Sequence, residues 1–131
     1  MIKKRQGLLV LVVLAAMGLS ACSSAKPGDQ DPRDVKVELR TDPAQAQAGA
    51  DVKLIATVTG LVDEKNTIVQ YEIRKADHSG LPELLENVER ESGGTYSAGY
   101  KFAESAAYDV YIHIYNGELH ITKKKPVEVG P

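Results

Sequence analysis

From Val35 to Val129 apolar and polar residues alternate with the two-residue period of half-buried strands, not the 3.6-residue period of helices. The pattern is clearest between Tyr108 and Thr122. Tyr108, Val110, Ile112 and Ile114 share one parity, and Asp109, Tyr111, His113 and Tyr115 share the other. Asn116-Gly117 follows, a strong hairpin signal, because a type I′ turn needs positive φ at both central residues. A two-residue loop at that step sets Tyr115 against Glu118, Ile114 against Leu119, His113 against His120 and Ile112 against Ile121. One face of this hairpin is apolar (Val110, Ile112, Ile114, Leu119, Ile121). The other carries Tyr111, His113, Tyr115, Glu118, His120 and Thr122. A slip of one residue would exchange the faces. The register predicts that His113 and His120 stand directly opposite each other, with Cβ atoms about 4.5–5.5 Å apart.

The same reading gives the earlier strands. Val35 to Arg40 is the first, ended by Asp42-Pro43, with Ala44 to Ala50 as a connection. Val52 to Thr59 is the second, and Gly60 to Asn66 is a polar loop. Ile68 to Lys75 is the third, with Val69, Tyr71 and Ile73 inward and Gln70, Glu72 and Arg74 outward. After the turn Asp77-His78-Ser79-Gly80, Leu84 to Arg90 is read as a fourth strand; a helical turn over residues 83–86 is the alternative. Ser92-Gly93-Gly94 turns the chain into Thr95 to Phe102, and Ala103 to Ala107 leads to the hairpin. About seven strands and no amphipathic helix predict an all-β, immunoglobulin-like antiparallel β-sandwich over residues 35–129. Tyr108 falls where such sandwiches place a tyrosine corner. The Cys…Trp…Cys core of antibody domains is missing, since the chain has no Trp and a single Cys. Lys123-Lys124-Lys125-Pro126 is expected to interrupt the last strand and to protect an exposed edge, in preference to binding an anion.

The N-terminus changes the picture of where the domain sits. Lys3, Lys4 and Arg5 precede an apolar run from Leu8 to Met17, about ten residues long and too short for a comfortable membrane span. Leu19-Ser20-Ala21-Cys22 follows. This order closely resembles a bacterial lipoprotein signal, with residues 1–21 removed and the Cys22 sulfur carrying diacylglycerol, so that Cys22 bears acyl chains such as palmitate. Two or three acyl chains anchor firmly where one is marginal. The expected location is the extracytoplasmic face of the cell membrane. Residues 22–34, rich in Ser, Pro, Gly and Asp, read as a disordered linker. Setting aside Lys3, Lys4 and Arg5 leaves 13 basic against 18 acidic residues, a net charge of −5 in place of the −2 of the whole chain. No basic face is available for phosphates, which excludes nucleic acid as a partner. Met1, Met17 and Cys22 are the only sulfur-bearing residues, so the processed domain offers no thiol or thioether ligand.

The chain also resembles the YtkA-like family of small extracytoplasmic proteins, itself similar to the FixH-like proteins. The resemblance rests on Val37-Glu-Leu-Arg-Thr-Asp-Pro43, on Gly93-Gly94-Thr95-Tyr96, on Tyr108-x-Val110-x-Ile112-His113 and on His120-x-x-Lys123-Lys124. It implies an immunoglobulin-like fold, an envelope location and a link to copper handling or respiratory-oxidase assembly. His113 and His120 match the family's two late histidines. Methionines are frequent around the second of these in the family; here the neighbours are Leu119, Ile121 and Thr122.

Three readings are open for the histidine pair, the plainest being two solvated histidines on a sheet face with tyrosine neighbours. In the usual strand order the third strand lies beside the sixth, so Gln70 and Glu72 extend the row formed by His120 and His113. Two imidazoles and the Glu72 carboxylate suit Cu(II) or Zn(II), whereas Cu(I) prefers sulfur. Alternatively, Tyr111 and Tyr115 flank the pair as an aromatic strip able to dock an envelope protein, making the domain a structural or interaction module with no metal role. His78 is expected at the far end of the third strand, away from the pair. No nucleophile elbow, phosphate loop or cysteine nucleophile is present, and the expectation is a protein that is not an enzyme.

Overall fold

A computed structural model describes residues 29–131. The signal, the Cys22 lipidation motif and most of the linker lie outside the described residues. Nine strands run in chain order: β1 (Lys36–Asp42), β2 (Ala46–Gln47), β3 (Asp51–Thr59), β4 (Thr67–Lys75), β5 (Glu83–Leu85), β6 (Glu89–Arg90), β7 (Thr95–Lys101), β8 (Ala106–Asn116) and β9 (Leu119–Gly130). They form two sheets, ordered β1-β3-β7-β6 and β2-β9-β8-β4-β5. This is the immunoglobulin-like sandwich that the alternation predicts. All pairings are antiparallel except the short parallel bridge of β2 to β9.

The inward residues of both sheets meet in one core, which includes Leu54, Val58, Tyr71, Phe102, Val110, Ile112 and Ile114. Tyr71, at the centre of β4, is fully buried. Its hydroxyl donates to Tyr96 O at 2.6 Å and accepts from Ala56 N at 3.2 Å. Ala56 and Tyr96 are paired across β3 and β7, so one side chain of the second sheet fastens two strands of the first. Tyr108 makes the predicted tyrosine corner, its hydroxyl donating to Glu104 O at 2.9 Å. Tyr108→Phe is expected to lower stability by about 1 kcal/mol, the usual net worth of such a bond, with the fold retained; urea unfolding followed by circular dichroism measures it. At the turn into β7, Gly94 has φ of +74°, and a Cβ there would lie 2.5 Å from Val58 O. Only glycine fits that approach.

Four expectations need correction. The segment read as one strand from Leu84 to Arg90 is split. β5 pairs with β4 in one sheet, and β6 pairs with β7 in the other. Leu85 and Val88 turn toward the core as the chain crosses between sheets, which breaks the alternation. The connection Ala44 to Ala50 contains β2, held because Ala46 is buried beside Val129. Lys123-Lys124-Lys125-Pro126 does not interrupt the last strand, because β9 continues through it. A proline is tolerated there since β9 is an edge along most of its length, paired outward only at Val129 and Gly130. Lys123 and Lys125 share the inward parity of Ile121 and Val127, and inward-pointing charges on an edge discourage pairing with another chain. Finally, the linker is not free up to residue 34. Gln30 donates to Gly60 O at 3.0 Å and accepts from Val62 N at 2.8 Å, so the chain is docked on the domain before β1 begins.

Candidate functional site

The site lies on the outer face of the five-stranded sheet, where β4, β8 and β9 run side by side. Alternation sends Gln70, Glu72 and Arg74 from β4, Tyr111, His113 and Tyr115 from β8, and His120 and Thr122 from β9 to this face. The parity agrees with the sequence reading, but the register does not. Asn116 pairs with Leu119, Tyr115 with His120, Ile114 with Ile121 and His113 with Thr122. The hairpin loop is therefore Gly117-Glu118. Gly117 has φ of +59° and Glu118 has no positive φ, a pattern of the II′ rather than the I′ kind. Asn116 is not spent on the turn because its side chain has another use. Its amide donates to Asp63 O at 2.5 Å and to Thr67 Oγ1 at 2.8 Å, tying the hairpin to the loop before β4.

The displacement is two residues, so both faces keep their composition, and His113 and His120 become diagonal rather than direct neighbours. They still meet. His113 Nδ1 lies 2.9 Å from His120 Nε2. Thr122 Oγ1 sits 3.2 Å from the first nitrogen and 3.4 Å from the second. The Tyr115 ring stacks on His120, centroids 4.3 Å apart and planes 14° from parallel.

Glu72 does not join this cluster as a third converging ligand. Its Oε2 is 3.1 Å from His113 Nε2, on the opposite side of the imidazole from His120. Its Oε1 accepts from Arg74, whose guanidinium lies 4.8 Å above the centre of the Tyr111 ring. The bond from Arg74, and secondarily that from His113, holds the Glu72 carboxyl below the usual carboxylate range against the opposing effect of burial. An ionised Glu72 only accepts, so His113 carries its proton on Nε2 and donates it there. His113 Nδ1 is then a lone pair directed at His120, which donates from Nε2. The network thus fixes the tautomer and the aim of one imidazole, the arrangement found behind metal-bound histidines. Among the described residues no group of three or more His, Cys, Asp or Glu converges as a metal site. The protein contributes two imidazole nitrogens and a hydroxyl.

His78 falls, as expected, away from the pair. It follows Lys75, which pairs with Tyr108 at the end of β8 remote from the hairpin. Tyr111 and Tyr115 flank the histidines as read, and two apolar companions that alternation alone did not single out join them. Ile68, opposite Tyr115, is 63% exposed, and Leu84, opposite Glu72, is 48% exposed. Thr122 was missed as His113's partner because the assumed turn was wrong; Gly117 as first loop residue is the signal that recovers it. A cleft of about 620 Å³ between β1, β2 and β9, lined by Leu39, Ala46 and Val127 among others, contains neither histidine. Another of about 700 Å³ at the hairpin end, beside Asp63 and Glu118, contains neither as well.

No protein-family model matches the chain, and no curated protein does. Solved structures do resemble it. A DUF4426-family protein from Pseudomonas aeruginosa is 13% identical with a TM-score of 0.50, over 75% of this chain and 92% of that one. A superoxide reductase (neelaredoxin) from Ignicoccus hospitalis is 12% identical with a TM-score of 0.45, over 72% of this chain and 79% of that one. The first likeness supports the all-β sandwich and extends to fold alone. The second is too loose to bear on chemistry.

Proposed function

We propose that this chain is a lipid-anchored, extracytoplasmic, non-enzymatic binding module of the YtkA-like kind. Its outer sheet face holds Cu(II) or Zn(II) between His113 and His120. The observation that carries the reading is the meeting of His113 Nδ1 and His120 Nε2 at 2.9 Å, with Glu72 braced behind the first ring. Imidazole nitrogens suit both metals, and the absence of Cys and Met after Cys22 disfavours Cu(I). Loading requires one proton to move. His113 presents Nδ1 already free, and His120 must release the proton from Nε2 and carry it on Nδ1. The metal itself supplies affinity for further donors. The role in copper handling or oxidase assembly rests on the family resemblance, and the anchor rests on the order of residues 1–22.

Glu72→Gln tests the brace. The amide keeps the shape but no longer favours the Nε2–H tautomer by charge. Affinity for Zn(II) is expected to fall roughly 10–100-fold, the usual effect of losing such an outer partner. Competition against a chromogenic chelator measures it; an unchanged affinity would remove Glu72 from the site.

A second reading has its own observation. The exposed Ile68 and Leu84, with the half-buried Tyr111 and Tyr115, give the face an apolar and aromatic strip suited to an envelope protein. Under that reading alone, cross-linking to a partner in membranes survives chelation and is lost in Ile68→Arg.

A further inference from the structure

We infer that the metal is shared between two copies of this chain, joined face to face about a two-fold axis that passes through it. The inference rests on the metal-binding reading above and concerns who supplies the remaining ligands. Each chain offers two imidazole nitrogens. Thr122 Oγ1 is close but is a neutral hydroxyl, a poor substitute for an imidazole or a carboxylate. Glu72 is turned to the other side of His113 and is already committed to Arg74. No third His, Cys, Asp or Glu converges among the described residues. Zn(II) in closed protein sites takes four ligands, so one copy would supply half a site, on the outer face of the sheet.

A second copy related by a two-fold axis supplies the other half, because an isologous interface repeats each group on both sides. The face tolerates its own image. Its charges are balanced within each chain, Glu72 with Arg74 and Asp109 with Lys124. Ile68 and Leu84, both exposed in one copy, would be covered in the pair. Area alone does not suffice. Four strands about 4.8 Å apart, over some six residues at ~3.4 Å each, present roughly 400 Å². That is about half of the ~800 Å² per partner typical of stable complexes. The pair therefore forms with metal and separates without it.

Native mass spectrometry of the full chain released from a neutral detergent tests this directly. With a chelator, the mass of one chain is expected. With Zn(II), and in a separate titration with Cu(II), the mass is expected to double and to include one metal ion per two chains. His120→Ala, an exposed position, is expected to stay at the mass of one chain in either metal. Ile68→Arg, on the same face but not itself a donor, is expected to lower the dimer fraction at least tenfold and the bound metal with it. One metal ion on a single chain of the unaltered protein would overturn the shared site and leave the metal reading standing. A dimer that persists in chelator would also overturn it. Absence of bound metal at any mass would overturn both.

Discussion

Tyr71→Ala is expected to leave the domain at or beyond the edge of unfolding. The side chain is fully buried in the centre of β4, and its removal opens a cavity between the sheets. Truncating a buried aromatic costs about 3–5 kcal/mol. The loss of its hydroxyl also removes its bonds to Ala56 N and Tyr96 O, for a further ~1–3 kcal/mol. Domains of this size have about 5–15 kcal/mol in total. Tyr71→Phe separates the two contributions, with an expected loss of about 1–3 kcal/mol. Urea unfolding monitored by circular dichroism is the measurement, and a Tyr71→Phe variant as stable as the parent would contradict the role given to the hydroxyl. Ionisation provides an independent check. Burial pushes the Tyr71 phenol well above its ordinary value, so the fold holds the neutral form. The stability it brings is complete below the unfolded value of about 10 and declines as pH rises past it. Tyr71→Phe should remove part of that alkaline decline.

His113→Ala is expected to abolish tight binding of Cu(II) and Zn(II). It removes one of two imidazole donors and also strands Glu72's support of the site. The loss should therefore exceed the roughly 10–100-fold expected of Glu72→Gln. Stability should change little, by about 1 kcal/mol, because Glu72 keeps Arg74 and the residue belongs to the outer face rather than the core. Metal titration against a competing chelator, beside a urea curve, distinguishes a lost ligand from a damaged fold. Equal affinity in parent and variant would exclude His113 as a donor.

These expectations draw on different depths of information in the sequence. Which residues share a face was legible from alternation alone, because a strand's side chains have a strict period of two. Val110, Ile112 and Ile114 are buried, and Tyr111, His113 and Tyr115 lie on the outer face, as the pattern requires. The pairing register was not legible, because it turned on one side chain with two possible uses. Asn116 was read as a left-handed turn residue, and instead it bridges to Asp63 and Thr67 across the sheet. Since the resulting shift is even, the histidines stayed together. Glu72 illustrates a finer limit. Its place beside His113 followed from strand order, but the choice of ring nitrogen depends on Arg74 drawing the carboxylate to one side. The segment from Leu84 to Arg90 was illegible for a different reason. A chain that changes sheets presents Leu85 and Val88 to the core from two directions, and no single period describes it.

The claim that two diagonal imidazoles form a metal-binding pair has a direct spectroscopic test. Long-range proton–nitrogen NMR spectra of the histidine-labelled chain, recorded as Zn(II) is added, report each ring nitrogen separately. The account predicts that His113 Nδ1 and His120 Nε2 move to metal-bound positions while His113 Nε2 stays protonated against Glu72 and His78 is unaffected. Spectra in which neither ring responds, or in which His113 binds through Nε2, would contradict it.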